Sequence, residues 1–142
     1  MEYPAGFDSA TMRNKPICGV LAVAIAAGVS FDVAFAACKR NMPAHRQRMR
    51  GSTYQPQRDQ ALKELGVKFH IFGKLEVEHL SVMEFCRKAE GNGLTYLLEI
   101  RGHIMTLKDG RLIDQHINKP WREYHHRQIK LKRVVRIDGK GW

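Results

Sequence analysis

The fold is decided by residues 14–28, NKPICGVLAVAIAAG. No charge occurs between Pro16 and Phe31, and nearly every helical face of this stretch is apolar, which predicts a buried central helix. Pro16 suits the first turn of a helix, and Gly28 suits its end. Cys18 then lies in the first turn, where unpaired backbone N–H groups and the helix dipole favour a thiolate. A small buried apolar residue suits the same place, so the helix alone leaves the role of Cys18 open.

The composition favours one domain over residues 1–142 with a basic surface. A chain of 142 residues with 24 basic and 14 acidic side chains has a net charge of +10. Such a charge fits an acidic partner, a nucleic acid or simply a basic surface. The three cysteines, at 18, 38 and 86, are odd in number and widely spaced. They do not form a disulfide framework, so we expect a reducing compartment and a cytoplasmic location.

The central apolar stretch also imitates a signal peptide, because Arg13 and Lys15 precede it and small residues follow it. Asp32 interrupts the run, and cleavage of this stretch as a signal peptide would remove the best core helix. The run is too short to cross a bilayer. We therefore expect no membrane partner.

Capping and turn signals predict the remaining elements. Residues 1–12 show no periodicity and are expected to be irregular. Ser30 suits the N-cap of a second helix. A third helix is predicted over residues 55–65. The capping box of Ser81 and Glu84 predicts the start of a fourth, which ends near Ala89. Strands are predicted over 67–72, 94–100, 101–108, 111–115 and 128–137. The fold class is therefore α+β, with N-terminal helices packed on an antiparallel sheet that begins at Val67.

Asp109-Gly110 predicts a two-residue hairpin turn between two β-rich runs. In the register of that turn Lys108 pairs with Arg111, and pairing outward places Met105 opposite Asp114 and His103 opposite His116. Alternation puts these four side chains on one face, with Asp114 as the diagonal neighbour of His103. A slip of one residue would move Asp114 to the other face.

The types of these residues indicate nucleophilic catalysis. A carboxylate beside a histidine fixes its tautomer and stabilises its charged form. Together with a cysteine at a helix N-terminus, His103 and Asp114 complete a set of nucleophile, base and orienting group. Taken singly, His103 fits an ordinary strand histidine and Asp114 a strand-end surface charge, but their joint placement with Cys18 favours chemistry.

At these positions the sequence resembles the papain-like cysteine peptidase superfamily, and more closely its small single-domain members from tailed bacteriophages and bacteria. The resemblance is carried by Asn14 with Cys18, by Gly102-His103, by Asp109-Gly110 and by Asp114, and it spans residues 14–38 and 94–116. It implies a papain-like fold and a catalytic triad of Cys18, His103 and Asp114. It also implies a peptidase, or a related amide hydrolase or acyl transferase, that is phage-encoded and acts on a protein or peptide substrate in the host cytoplasm. No cofactor is expected.

The sequence departs from the papain pattern around the nucleophile. Papain has a glutamine six residues before its cysteine, which completes the oxyanion hole, whereas Met12 occupies that position here. Asn14 is the available substitute, because its amide can donate a hydrogen bond beside the backbone N–H of Cys18. Gly19 follows the cysteine directly, which also differs from papain.

A second interpretation makes the protein a basic binder on the same scaffold, such as a host-takeover inhibitor with a vestigial triad. The segment 39–51 has no acidic residue, and it contains Arg40, Arg46, Arg48 and Arg50. This basic patch suits an acidic host protein or a nucleic acid, although it equally suits a solvated loop and no nucleic-acid motif accompanies it. His125-His126 lacks the paired spacing of a zinc site, so no metal is expected.

Overall fold

The computed structural model of the chain describes residues 3–43, 49, 51 and 53–140. The helices are α1 (Ser9–Met12), α2 (Cys18–Ala27), α3 (Phe31–Arg40), α4 (Gln55–Glu64), α5 (Lys74–Val77) and α6 (Val82–Ala89). The strands are β1 (Val67–Ile71), β2 (Thr95–Ile100), β3 (His103–Lys108), β4 (Arg111–Ile113), β5 (Asn118–Pro120) and β6 (Arg133–Lys140), and a 3₁₀ turn spans Trp121–Glu123. All strand pairs are antiparallel, and the sheet order is β1-β6-β2-β3-β4-β5. The predicted α+β class and the antiparallel sheet from Val67 onward are confirmed.

Helix α2 is the central buried helix that the sequence predicts. Almost all of its residues are buried, and it packs against α3, α4 and β3. It ends at Gly28, whose φ of 66° is left-handed and whose N–H bonds to the carbonyls of Ala24 and Ile25. The helix begins two residues later than Pro16, with Ile17 as its N-cap, so Cys18 is its first residue.

Capping explains where the other helices begin. The hydroxyl of Ser30 accepts from the Val33 N–H at the start of α3, and Ser81 and Glu84 form the predicted capping box of α6. Residues 1–12 were expected to be irregular, but a short helix begins at Ser9 because the Asp8 carboxylate accepts from the Ala10 N–H.

The last strand also differs from its prediction over 128–137. Strand β6 begins only at Arg133, and before it Lys130 forms an isolated bridge with Ser81, the N-cap of α6. The chain there bonds to other elements instead, since the Ile129 carbonyl accepts from the Val82 N–H and the Leu131 N–H donates to Leu80.

The Asp-Gly hairpin has the predicted register for three pairs: Lys108 with Arg111, Leu107 with Leu112, and Thr106 with Ile113. Pairing then stops, so the predicted opposition of Met105 with Asp114 and of His103 with His116 does not form. The Asp114 side chain is the reason, because it accepts the N–H groups of the residues that follow it and closes a tight turn.

The sheet is covered on both faces, as the alternation of its side chains requires. One face packs on α2, α3 and α4 through Leu97, Ile104 and Val135. The other packs on α6 through Leu98 and Met105, among others. Among the residues that the structure describes, no single helix has the length and apolar character to cross a membrane; only α2 and α3 together meet that test, with a bend of 111° between them.

Candidate active site

Three elements bring together the side chains that the sequence singles out. Cys18 is the first residue of α2, His103 is the first residue of β3, and Asp114 directly follows β4. The His103 Nε2 atom lies 2.6 Å from Asp114 Oδ2. The same imidazole lies close enough to the Cys18 thiol to act on its pKa both as a hydrogen-bond partner and as a charge.

Asp114 is held firmly in place. It is 6% exposed, and its Oδ1 atom accepts from the N–H groups of His116 at 2.7 Å and Ile117 at 2.8 Å. The Tyr3 hydroxyl donates to the Asp114 carbonyl at 2.8 Å. Burial raises the pKa of Asp114, but the hydrogen bonds from His103 and the two backbone N–H groups outweigh burial and keep that pKa below its ordinary value. The side chain is therefore an ionised acceptor for His103.

His103 is protonated at neutral pH. The hydrogen bond to Asp114 and then that to Cys18 raise the pKa of His103 to about 9, against the opposing effect of burial. The side chain remains 25% exposed. An imidazolium that faces the open side of the molecule can donate a proton to a bound substrate.

Cys18 has the environment of a reactive thiol. Burial raises its pKa, but the hydrogen bond and charge of His103, the Ile104 backbone N–H and the charge of Arg58 together lower that pKa below its ordinary value. No described side chain caps the start of α2, so the first-turn N–H groups have no side-chain partner there. Cys38 and Cys86 are different, because burial raises the pKa of each to about 12.

Cys18 and His103 line one open cleft of about 580 Å³. Its other lining residues come from the segment before α2, from the region around the start of α4, from both ends of the β2–β3 turn and from the turn after β4. They include Pro16, Thr53, Arg58, Glu99, Gly102 and Gln115. A cleft of this size accommodates an extended peptide or a comparable small substrate beside the thiol.

A largely buried ionic network contributes Arg58 and Glu99 to the wall of the cleft. Arg58 donates to Glu99 at 2.8 Å, and Arg133 bridges Glu99 at 2.8 Å and Asp59 at 2.6 Å. Arg58 also donates to the Thr53 carbonyl and hydroxyl. Sequence reasoning missed this network, because its partners lie far apart in the chain and no local spacing connects them.

The close approach of Thr53 accounts for the glycine after the nucleophile. A Cβ atom on Gly19 would lie 2.0 Å from the Thr53 hydroxyl oxygen and 3.0 Å from Cδ of Arg58. No side chain fits there without displacing the wall of the cleft. The departure from the papain pattern at Gly19 thus has a packing cause in this chain.

The structure places the other predicted residues outside the cleft or outside the described part of the chain. Asn14 is exposed and is not among the described residues that line the cleft, so its role as oxyanion donor stays a prediction. Arg40 is exposed and paired with Glu64 at 2.9 Å. The remaining members of the basic patch, Arg46, Arg48 and Arg50, lie outside the described residues. Within the described ranges, no three His, Cys, Asp or Glu side chains are grouped as a metal site requires.

Comparison of the chain with family models, with curated proteins and with solved structures finds no match in any of the three. The chemistry assigned to the site therefore depends on its own geometry.

Proposed function

We propose that the protein is a thiol-dependent peptidase, or a related amide hydrolase or acyl transferase, built on a papain-like fold. One observation carries the proposal: Cys18 and His103 line the same open cleft, and the Nε2 atom of that histidine lies 2.6 Å from the Asp114 carboxylate. The nucleophile lies at the start of a buried helix, and that helix packs against the strand of the histidine. This is the arrangement that the resemblance to papain-like peptidases implies.

The mechanism follows from the protonation states. The lowered pKa of the Cys18 thiol and the pKa of about 9 of His103 both favour a thiolate–imidazolium pair, which is the reactive form. The thiolate attacks the carbonyl carbon of an amide, and a C–S bond forms. His103 then gives its proton to the amine as the C–N bond breaks, which leaves a thioester on Cys18.

The second half-reaction restores the enzyme. His103, now neutral, takes a proton from water as the water oxygen attacks the thioester carbonyl. The C–S bond breaks, the acid is released, and thiolate and imidazolium are regenerated. An amine that replaces water in this step gives acyl transfer with the same residues.

The negative oxygen of each tetrahedral intermediate needs donors. The backbone N–H of Cys18 is one, since the first-turn N–H groups of α2 have no partner within the helix. Asn14 is the proposed second donor, from the segment just before the helix.

A peptide vinyl sulfone tests the proposal, because it alkylates only an activated thiol held next to a peptide-binding cleft. We expect intact-mass spectra to show one adduct, peptide mapping to place it on Cys18, and C18A and H103A to abolish it. C38A is the matched control and should label as the wild type does. Labelling that ignores His103, or that falls on Cys38 or Cys86, would contradict the proposal.

The proposed substrate is a protein or peptide, and the proposed setting is the host cytoplasm of a bacteriophage-encoded protein. Binding through the basic surface is the competing class, supported by the net charge of +10. Its predicted patch carries less free charge than the sequence suggests, because Arg40 is paired with Glu64. An enzyme loses its effect with C18A and keeps it when Arg46, Arg48 and Arg50 become Gln, whereas a binder of an acidic partner does the reverse and weakens as salt rises.

A further inference from the structure

We propose that Gln115 is a positioning residue that fixes the nucleophile relative to the His103–Asp114 pair. The inference rests on the proposed function and assigns a role that nothing in the sequence indicates. Gln115 directly follows Asp114, is 6% exposed and lines the cleft. It is thus a buried amide on the same turn that holds the carboxylate.

The amide of Gln115 binds the segment that leads into helix α2. Its Nε2 atom donates to the carbonyl of Arg13 at 2.7 Å and also to the carbonyl of Lys15. The Lys15 carbonyl accepts in addition from the Ile17 N–H at 2.9 Å, and Ile17 is the N-cap of the helix. Both hydrogens of one side chain therefore hold the backbone that immediately precedes Cys18.

The other end of this connection is rigid. Asp114 is fixed by the N–H groups of His116 and Ile117, and the Tyr3 hydroxyl donates to the carbonyls of Asp114 and Ile117 at 2.8 and 3.0 Å. Gln115 thereby connects the start of α2 to the turn that holds Asp114, the hydrogen-bond partner of His103. The segment before α2 has one further bond to this turn, from Arg13 Nε to His116 Nδ1 at 3.4 Å, but that bond is longer and exposed. Without Gln115, the position of the thiol relative to the imidazole would depend mainly on the packing of α2 on the sheet.

The unpartnered oxygen of Gln115 indicates that the hydrogen bonds of its NH₂ group determine how the amide is oriented. Gln115 Oε1 is buried and has no hydrogen-bond partner within the described part of the chain. A buried acceptor without a partner destabilises a fold, and such groups call for an explanation. The explanation here is that the NH₂ group can bond to the carbonyls of Arg13 and Lys15 only when Oε1 is left without a partner.

Loss of the Gln115 amide should change the pKa of the Cys18 thiol but not the raised state of the His103 pKa. Loss of the amide should loosen Cys18 from His103 and raise the pKa of the thiol. It should leave the 2.6 Å contact between His103 and Asp114 in place, so the pKa of His103 should remain above its ordinary value. A residue that merely supported the fold would lose both effects together.

The test uses the full chain with Q115M and Q115E, and with Q128E as the matched control on the exposed surface. Iodoacetamide labelling of Cys18 is followed by mass spectrometry from pH 5 to pH 9, and His103 is titrated by NMR. We expect labelling at pH 6 to fall about tenfold or more in both Gln115 variants, with the profile displaced to higher pH and the His103 midpoint still raised. Met fills the same volume without a donor, so Q115M remains informative if the buried charge of Q115E prevents folding.

The outcomes separate the inference from the proposed function. If wild-type Cys18 labels no faster than an ordinary thiol at pH 6, the proposed function fails and the inference falls with it. If the wild type labels rapidly and folded Q115M matches it, the proposed function stands and the positioning role is refuted. If Q115M and Q115E lose the His103 shift as well, or fail to fold, Gln115 supports the structure generally and the inference is again refuted.

Discussion

The substitution D114N removes the charge on which the site depends while it keeps the shape of the turn. The Asn carbonyl can still accept from the N–H groups of His116 and Ile117, as Asp114 Oδ1 does at 2.7 and 2.8 Å. Its amide group, placed at Oδ2, can no longer stabilise a positive imidazole. The fold should therefore survive while the protonation of His103 changes.

The magnitude follows from the pKa of His103, which is raised from 6.5 to about 9, mainly by Asp114. At pH 7.5 a group with a pKa of about 9 is roughly 97% protonated, and one at 6.5 is roughly 9% protonated. The full shift corresponds to about 3 kcal/mol in favour of the imidazolium. Since Cys18 supplies the second contribution, we expect the midpoint in D114N to fall by about one pH unit or more without reaching 6.5.

The pH dependence of turnover follows with a definite sign. Activity needs the thiolate, so it rises as pH passes the lowered pKa of Cys18, and it needs the imidazolium, so it falls as pH passes about 9. In D114N the falling limb moves to lower pH. The rising limb moves to higher pH because the thiolate loses its charged partner, and the two limbs converge.

NMR titration of the imidazole measures the midpoint directly, with H103Q to assign the signal, and iodoacetamide labelling of Cys18 at pH 6 reports the thiolate. D138N is the matched control, because Asp138 is also paired, with Arg136 at 2.6 Å, and lies on β6 away from the site. If His103 in D114N still titrates near 9 and Cys18 labels as in the wild type, the Asp114 hydrogen bond is not what charges the histidine.

Three further substitutions test the walls of the cleft and its oxyanion donor. G19A forces a Cβ to within 2.0 Å of the Thr53 hydroxyl, so urea unfolding should show a loss of about 1–3 kcal/mol, most of it recovered when T53A is combined with G19A. R58M removes one of the two arginines on buried Glu99 and should lower the free energy of unfolding by on the order of 3 kcal/mol. It should also slow Cys18 labelling at pH 6, and unchanged labelling would show that the charge of Arg58 does not reach the thiol. N14A should reduce amide turnover by ~10²–10³ and leave alkylation, which forms no oxyanion, unchanged; a loss below about tenfold would remove Asn14 from the oxyanion hole.

Local patterns were sufficient to predict the elements that carry the site. An uncharged run from Pro16 to Phe31, with Gly28 as the predicted helix end, predicts helix α2 to within two residues of its start. Apolar patterning and a glycine cap are both local properties of the sequence. The Asp109-Gly110 turn predicts three pairs of the hairpin correctly. The contact between His103 and Asp114 is also present as predicted.

That contact forms by a different route from the one the register suggests. Continued pairing would have made Asp114 a strand residue on a shared face, whereas its carboxylate takes two backbone N–H groups and ends the ladder. The turn leaves one carboxylate oxygen for the backbone and the other for His103. The Asp114 carboxylate and the neighbouring strand compete for the same backbone N–H groups, and the outcome depends on the rest of the fold. The alternation of residues in the strand therefore did not indicate where the pairing would end.

The residues that sequence reasoning missed are those whose partners lie far away in the chain. Arg58 and Glu99 are separated by 41 positions, and Gln115 and Arg13 by 102. An arginine in a helix and a glutamine after a strand are ordinary in any sequence, and only the fold shows that one lowers the pKa of Cys18 and the other holds the backbone before it.

The contrast among the three cysteines shows what the fold adds to the sequence. All three lie in helices, and burial raises the pKa of each thiol. Only for Cys18 do other groups outweigh burial, and the strongest of them, His103, reaches the thiol because α2 packs on β3. The helix dipole also favours Cys18, the one cysteine of the three at a helix start, but by at most ~2 kcal/mol. The lowered pKa of Cys18 therefore depends largely on the helix–sheet contact that brings His103 to it. Substitutions that shift α2 on the sheet should raise the pKa of Cys18 even where they touch no residue of the cleft.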